Sequence, residues 1–210
     1  MRNILILGAG GQIARRVTGS LSAKKAVRLT LFLRDAAKLG KEQGHFRMVE
    51  GDVMDSGVLK EAMTGQDVVY ANLGGALDKQ AESIVAAMKA TGVKRLIFID
   101  SLGIYDEVPG AFGKWNKSMI GKYLPAFRRA ADMIEASGLD YTIIRPAWLM
   151  DEDKVDYETT SKAEPFKGTE VSRKSVADLV VKLIDTPGWE IGGNLGVNKP
   201  NTDGDKPSFY

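Results

Sequence analysis

Near the start of the chain, Gly8-Ala9-Gly10-Gly11-Gln12-Ile13-Ala14 follows the apolar run Ile4-Leu5-Ile6-Leu7 and opens a segment with helical periodicity. Glycines at the end of a buried strand let the backbone turn sharply and approach a ligand closely. The helix that begins there aims its free N–H groups at whatever lies in front of it. The occupant such a turn suits is the pyrophosphate of a dinucleotide. A lone glycine motif is weak support, so its weight depends on the other strand ends. Those carry Arg34-Asp35, Asp52-Val53, Asn72-Leu73-Gly74-Gly75, Ser101 to Tyr105, and Arg145-Pro146-Ala147-Trp148. Turns favour Gly, Asn, Asp and Ser for backbone reasons alone. It is their coincidence at successive carboxyl ends, where doubly wound sheets bind ligands, that points to a long cofactor lying across the sheet edge.

The end of the second strand discriminates between the two nicotinamide dinucleotides. A carboxylate there accepts hydrogen bonds from the free ribose hydroxyls of NAD, whereas an arginine pairs with the 2′-phosphate of NADP. Arg34 stands where the acid is expected, with Asp35 next to it. NADP(H) is therefore the preferred cofactor, with NAD(H) possible.

The elements that must position these groups are legible from periodicity. Short apolar runs alternate with helix-like segments through the first 145 residues, the pattern of parallel strands joined by crossover helices. Strands are predicted at 3–7, 27–33, 46–50, 67–71, 95–99 and 141–144. The helix after the glycines turns Ile13, Val17 and Leu21 inward and Arg15 and Arg16 outward or toward phosphate. A short helix contains Ala36, Ala37 and Leu39. Others run over 56–63 with Ser56 as N-cap, over 77–91 with Ala81, Ile84, Val85 and Met88 on one face and Gly92 as its stop, and over 125–136 with Gly138 ending it. Residues 106–124 read as a loop with one short helical turn. Beyond Trp148 the alternation weakens to a short strand at 155–160, a helix at 172–185 with Val176, Leu179, Val180 and Leu183 inward, a last strand at 194–197 and an irregular tail at 198–210. The expected fold is α/β: a Rossmann-type doubly wound parallel sheet in a three-layer α/β/α arrangement. Residues 1–210 are expected to form a single NAD(P)-binding domain, with 146–197 as a small C-terminal substrate-side portion.

Composition narrows the chemistry. The chain has 210 residues, 44% hydrophobic and 27% charged, which is ordinary for a globular protein. Its 29 basic and 27 acidic residues are interspersed and leave a net charge of +2, so no basic block is available to neutralise a nucleic-acid backbone. The absence of cysteine rules out disulfides, thiolate catalysis and cysteine-ligated metals. With His45 the only histidine, no metal site is expected. No apolar run approaches the roughly 20 residues that cross a bilayer, and the N-terminus enters a strand without a signal-peptide layout. A cytoplasmic monomer or homodimer follows as the expectation, its partners the nicotinamide dinucleotide and a small-molecule acceptor.

The blocks Gly8 to Ala14, Leu33-Arg34-Asp35, Gly51-Asp52-Val53, Ile84 to Lys89, Asp100-Ser101-Leu102-Gly103 and Ser137 to Pro146 together resemble the atypical short-chain dehydrogenase/reductases. They are most similar to the NmrA-like, NAD(P)H-binding branch that includes biliverdin-IXβ (flavin) reductase, over residues 3 to 185. The resemblance implies that Gly8, Gly10, Gly11, Gln12 and Ile13 surround the pyrophosphate and that Arg34 takes the 2′-phosphate. It further implies that Asp52 and Val53 hold the adenine, Leu73 and Gly74 the adjoining ribose, and Pro146, Ala147, Trp148 and Leu149 the nicotinamide side.

One departure bears on mechanism. The wider superfamily pairs a tyrosine with a lysine four residues later, and the lysine lowers the phenol's pKa for proton transfer. Tyr123 is the nearest candidate here, but Phe127 stands at the lysine's place. Arg128 and Arg129 follow Pro125, while Lys117 and Lys122 precede the tyrosine. Tyr105 follows Ser101 by four residues, so both could reach one pocket. A flavin or quinone accepts hydride and takes its proton from water, so reduction of such an acceptor does not require the pair. The expectation is an NADPH-dependent reductase of a small planar acceptor. Ser101, which also touches the cofactor, is its hydrogen-bond donor, with Tyr105 and Tyr123 as further catalytic candidates and Trp148 with Tyr105 or Trp115 as an apolar wall. The alternative is a non-catalytic NADP(H)-binding regulatory protein. A sugar epimerase or dehydratase, which needs the tyrosine–lysine pair, is disfavoured.

Overall fold

Residues Ile4 to Leu7 are wholly buried, as a strand covered on both faces by helices requires. The computed structural model describes residues 1–39 and 46–210, so His45 lies outside the described residues. In chain order the elements are β1 (Arg2–Leu7), α1 (Gln12–Ser22), β2 (Val27–Leu33), a 3-10 turn (Ala36–Leu39), β3 (Phe46–Glu50), α2 (Ser56–Met63), β4 (Val68–Ala71) and α3 (Leu77–Thr91). There follow β5 (Arg95–Ile99), α4 (Gly110–Ile120), α5 (Leu124–Glu135), β6 (Asp140–Pro146), β7 (Trp148–Met150), β8 (Glu158–Thr160), β9 (Glu170–Ser172), α6 (Arg173–Asp185) and β10 (Gly193–Asn198).

The main sheet has the order β3-β2-β1-β4-β5-β6-β10-β8, with every pairing parallel except that of β8 with β10. The chain winds outward from β1 to β3 and then returns to β4 on the other side of β1. That reversal opens a crevice at the carboxyl ends of β1 and β4, where Leu7 faces both Phe32 and Ala71 in register. Alternation along β1 feeds the two layers: Ile4 and Ile6 pack with Val17 and Leu21 of α1 and Leu179 and Leu183 of α6. Leu5 and Leu7 belong to the opposite core with Leu59 of α2, Ile84 and Met88 of α3, and Ile134 of α5. The Rossmann-type three-layer sandwich expected from the sequence is therefore present.

Several local expectations are corrected. The N-cap of α2 is Asp55, whose carboxylate accepts from the N–H groups of Gly57 at 3.0 Å and Val58 at 3.2 Å, and Ser56 is the first helical residue. The segment read as a loop contains the 11-residue helix α4. Its glycines obscured the period, and Gly113 is there because a Cβ would strike the Val108 carbonyl. Helix α5 begins one residue earlier than predicted, with Pro125 in its first turn. Strand β6 continues to Pro146, and β8 is confined to Glu158–Thr160. The parallel pair β7–β9 was not foreseen, since three residues are too few to show a period. The tail beyond β10 is irregular as expected but tied down: Thr169 Oγ1 donates to Thr202 O at 2.7 Å, and Ser208 donates to the Glu170 carboxylate through N–H at 2.6 Å and Oγ at 2.9 Å. Among the described residues, no helix is long and apolar enough to cross a membrane.

Candidate functional site

The crevice is a cleft of about 300 Å³ whose walls come from the ends of β1, β2, β3 and β4. It brings together Gly8, Gly10, Gly11, Arg34, Asp52, Val53, Leu73 and Gly74 of the sequence-predicted set. Phe32, Leu33, Asp35, Gly51, Asn72 and Gln80 also line it. Gly8 has φ +75°, and the N–H groups of Gly8 and Ala9 both donate to Phe32 O, which pins the turn to β2. The Gly11 N–H donates to Gly8 O at 2.9 Å and closes the turn. A Cβ on Gly8 would collide with the Asn72 carbonyl, and one on Gly11 with the Asn72 side chain. Both glycines are thus required by the close approach of the β4 end.

The start of α1 suits an anion. Its N-cap is Gly11, no side chain caps it, and its first turn has no acidic residue. Gln12 is exposed as the first helical residue, while Ile13 is buried beneath it and contributes packing and its backbone. Across the cleft, the exposed Arg34 guanidinium makes no hydrogen bond or ion pair among the described residues. Asp35 accepts from the Ala37 N–H at 3.0 Å and so caps the 3-10 turn. Asp52 likewise accepts from the Met54 N–H at 2.9 Å, and Val53 forms a buried floor. Gln80 Nε2 donates to Gly74 O at 3.1 Å, which joins α3 to the glycine turn after β4, while its Oε1 is buried and unpartnered among the described residues. Uncapped helix, glycine turn and unpaired arginine fit a phosphorylated dinucleotide.

The remaining predicted residues lie outside that cleft, at the ends of β5 and β6 and, for Tyr123, at the start of α5. Ser101 is half-buried, and its hydroxyl donates to Leu102 O at 3.2 Å. Next to it Asp100 is only 7% exposed; Oδ1 accepts from the Ser101 N–H at 2.8 Å and Oδ2 has no partner among the described residues. Burial pushes its carboxyl up to about 8, against the opposing pull of the Ser101 N–H and Arg145. The loop carrying Ser101 is clamped by Glu107, whose carboxylate accepts from the Gly103 and Tyr105 N–H groups at 2.9 Å each and pairs with the fully buried Arg145. Arg145 also donates from Nε to Asn194 Oδ1 at 2.7 Å.

Tyr105 is drawn into the same network. Its hydroxyl donates to Glu135 at 2.8 Å and accepts from Asn194 Nδ2 at 2.8 Å. The sequence places no lysine beside it, but the fold does: Lys162 Nζ lies 4.5 Å from the ring centroid and donates to Glu135 at 2.6 Å. Burial, then the hydrogen bond and charge of Glu135, push the phenol well above its ordinary range, so it holds its proton. Tyr123 is exposed at the start of α5, stacked on Phe127, with Lys122 Nζ 4.9 Å from its ring centroid rather than at its hydroxyl. Pro146 and Ala147 are buried, Leu149 and Trp148 are half-buried, and the Trp148 indole N–H donates to Asn116 Oδ1 at 2.9 Å.

Glu107, Asn116, Glu135, Lys162 and Asn194 escaped the sequence reading. Arg145 is separated from Glu107 by 38 residues and from Asn194 by 49, so no local spacing could announce the cluster. Among the described residues no group of three or more His, Cys, Asp or Glu could hold a metal.

The sequence pattern of the NAD(P)H-binding family matches residues 8–187, which includes both halves of this site. A Rossmann-fold NAD(P)-binding family protein from Shigella flexneri superposes with a TM-score of 0.87 at 56% identity, covering 100% of both chains. A wide-type short-chain dehydrogenase/reductase from Veillonella parvula, solved in complex with NADP, superposes with a TM-score of 0.89 at 30% identity over 99% of each chain. An uncharacterized sugar epimerase of Bacillus subtilis is 35% identical over 114 residues, 54% of this chain, and the matched stretch spans only 49% of that relative's length. With the glycine turn, the strand order and the family pattern in agreement, this chain belongs to the NAD(P)H-binding family and fits its atypical short-chain dehydrogenase/reductase, NmrA-like branch.

Proposed function

We propose that the protein is an NADPH-dependent reductase of a small planar acceptor of flavin or quinone type. The observation that carries the reading is the chemistry at the end of β5. Ser101 presents a hydroxyl there, whereas the neighbouring phenol of Tyr105 is locked to Glu135 and, among the described residues, no lysine donates to it. Such a site positions and hydrogen-bonds an acceptor but provides no tyrosine–lysine relay for alcohol, ketone or sugar chemistry. A quinone or flavin takes its proton from water and needs only alignment.

The residues present divide the work. The α1 N-terminus and the glycine turn bind pyrophosphate, Arg34 selects the 2′-phosphate, Asp52 and Val53 bound the adenine, and Leu73 and Gly74 lie against the adjoining ribose. Ser101 and the backbone from Pro146 to Leu149 flank the nicotinamide side. When bound, NADPH supplies the hydride. The NADP complex of the Veillonella relative supports the preference for the phosphorylated cofactor. The Bacillus relative's epimerase name finds little support, because Phe127 occupies the lysine position after Tyr123.

Purified protein mixed with NADPH and either FMN or a naphthoquinone tests the proposal through the loss of nicotinamide absorbance. Turnover with at least one acceptor is expected. Tight NADPH binding without turnover on either acceptor would favour the non-catalytic, regulatory reading instead.

A further inference from the structure

Three aromatic rings from distant parts of the chain meet beside the Ser101 loop. Trp115 of α4 and Trp148 of β7 lie 4.7 Å apart between centroids, inclined at 58°. Tyr210 stands against both, 5.1 Å from Trp115 and 5.2 Å from Trp148, edge to face in each case. The two indoles are fixed from behind. Phe112 stacks on Trp115 at 6.1 Å and 20°, and Asn116, only 1% exposed, accepts the Trp148 indole N–H. The same Asn116 packs against Gly103, where a Cβ would come within 2.7 Å of its Nδ2. Through Asn116, the indole pair is therefore in contact with the loop that carries Ser101.

Tyr210 is held differently. The chain before it is anchored by Thr202, by the buried Pro207 and by the two hydrogen bonds from Ser208 to Glu170. Among the described residues, the backbone after Ser208 is tied by the Tyr210 N–H to Pro207 O at 3.1 Å alone, the Tyr210 hydroxyl has no partner, and the ring's further neighbour is Phe209, 5.3 Å away between centroids. Phe209 and Tyr210 remain 47% and 52% exposed. The indole pair, fixed from behind, thus carries a half-exposed ring held by aromatic contacts alone, on an anchored stem.

We propose that Trp115 and Trp148 form the seat for the flat ring of the acceptor and that Tyr210 occupies this seat until the acceptor displaces it. The inference rests on the reductase reading and adds to it where the acceptor binds and what competes with it. The seat's chemistry suits an uncharged aromatic ring such as a quinone or an isoalloxazine, since two indoles offer π faces and the Trp148 N–H is already taken.

The test uses the full chain in a Trp189→Phe background, so that fluorescence reports Trp115 and Trp148. Quenching by a naphthoquinone measures acceptor affinity, and NADPH affinity is measured alongside. Tyr210→Ala is expected to tighten quinone binding and lower its KM by roughly fivefold, the effect of releasing two aromatic contacts. Trp115→Leu is expected to weaken quinone binding by at least as much, with NADPH affinity unchanged in both variants. Unchanged or weaker quinone binding in Tyr210→Ala overturns the proposal. Quinone binding that follows this pattern without any NADPH oxidation would leave the seat in place and sink the reductase reading. NADPH oxidation whose quinone KM ignores both substitutions would do the reverse.

Discussion

The side chain of Asn72 lies where a Cβ on Gly11 would have to go, and the Asn72 carbonyl lies where one on Gly8 would. The two glycines therefore answer to different neighbours. The first can be relieved by trimming a side chain, whereas the second opposes backbone and also has φ +75°. Gly11→Ala is expected to lose stability and NADPH affinity, and Asn72→Ala in the same chain to restore most of the stability. Gly8→Ala is expected to be destabilised with no rescue from Asn72→Ala. Thermal melts of the four variants supply the comparison, and equal rescue of both glycines would contradict the geometry.

Arg34 has no partner among the described residues, so its removal should cost the fold little. Arg34→Ala is expected to weaken NADPH by at least tenfold, corresponding to the loss of a charge-assisted hydrogen bond of about 1.5–3 kcal/mol, and to change NADH by less than twofold. Titration with both cofactors decides it, and equal losses would remove the 2′-phosphate assignment.

Asp100 gives stability a pH dependence of definite sign. Its carboxyl is raised to about 8 by burial, above the value of an unfolded aspartate near 4. Between those values the folded chain holds a proton that the unfolded chain has lost. Its contribution is complete below about pH 4 and is lost as pH rises toward 8, on the order of 1 kcal/mol per pH unit. Asp100→Asn, which mimics the neutral acid, is expected to flatten that slope and be more stable than the parent at pH 8. Denaturant unfolding at pH 5, 6.5 and 8 measures the difference.

The Arg145–Glu107 pair is buried on both sides, with side chains 0% and 4% exposed. Removing one partner strands the other charge, so Arg145→Met is expected to cost about 3–5 kcal/mol. Because Glu107 also holds the Gly103 and Tyr105 N–H groups, Glu107→Ala should additionally loosen the Ser101 loop and lower turnover. The double variant should lose less than the sum of the singles, as coupled partners do.

Ser101 and Tyr105 separate by readout. Tyr105→Phe removes a hydroxyl bound to Glu135 and Asn194 and is expected to cost about 1 kcal/mol of stability with kcat changed less than twofold. Ser101→Ala is expected to leave the melt near the parent and lower kcat about tenfold. The opposite pattern would move the donor role to the phenol.

The sequence by itself determined the sheet core and the glycine turn after β1. Strands β2 and β5 and helix α3 lie where periodicity put them, because a strand buried on both faces or a long amphipathic helix writes its burial into local order. Gly8 to Gly11 and Arg34 were readable for the same reason: a turn and the first residue after a strand are local features. Helix α4 was hidden by its glycines, of which Gly113 answers to the approach of Val108 from outside the helix. Only the tertiary structure decided that Arg145, Glu107 and Asn194 form one buried cluster, that Lys162 comes to Tyr105, and that Tyr210 meets Trp115 and Trp148. Those contacts join segments tens of residues apart, and the pairing of a buried charge or ring depends on which strand ends the winding of the sheet brings side by side.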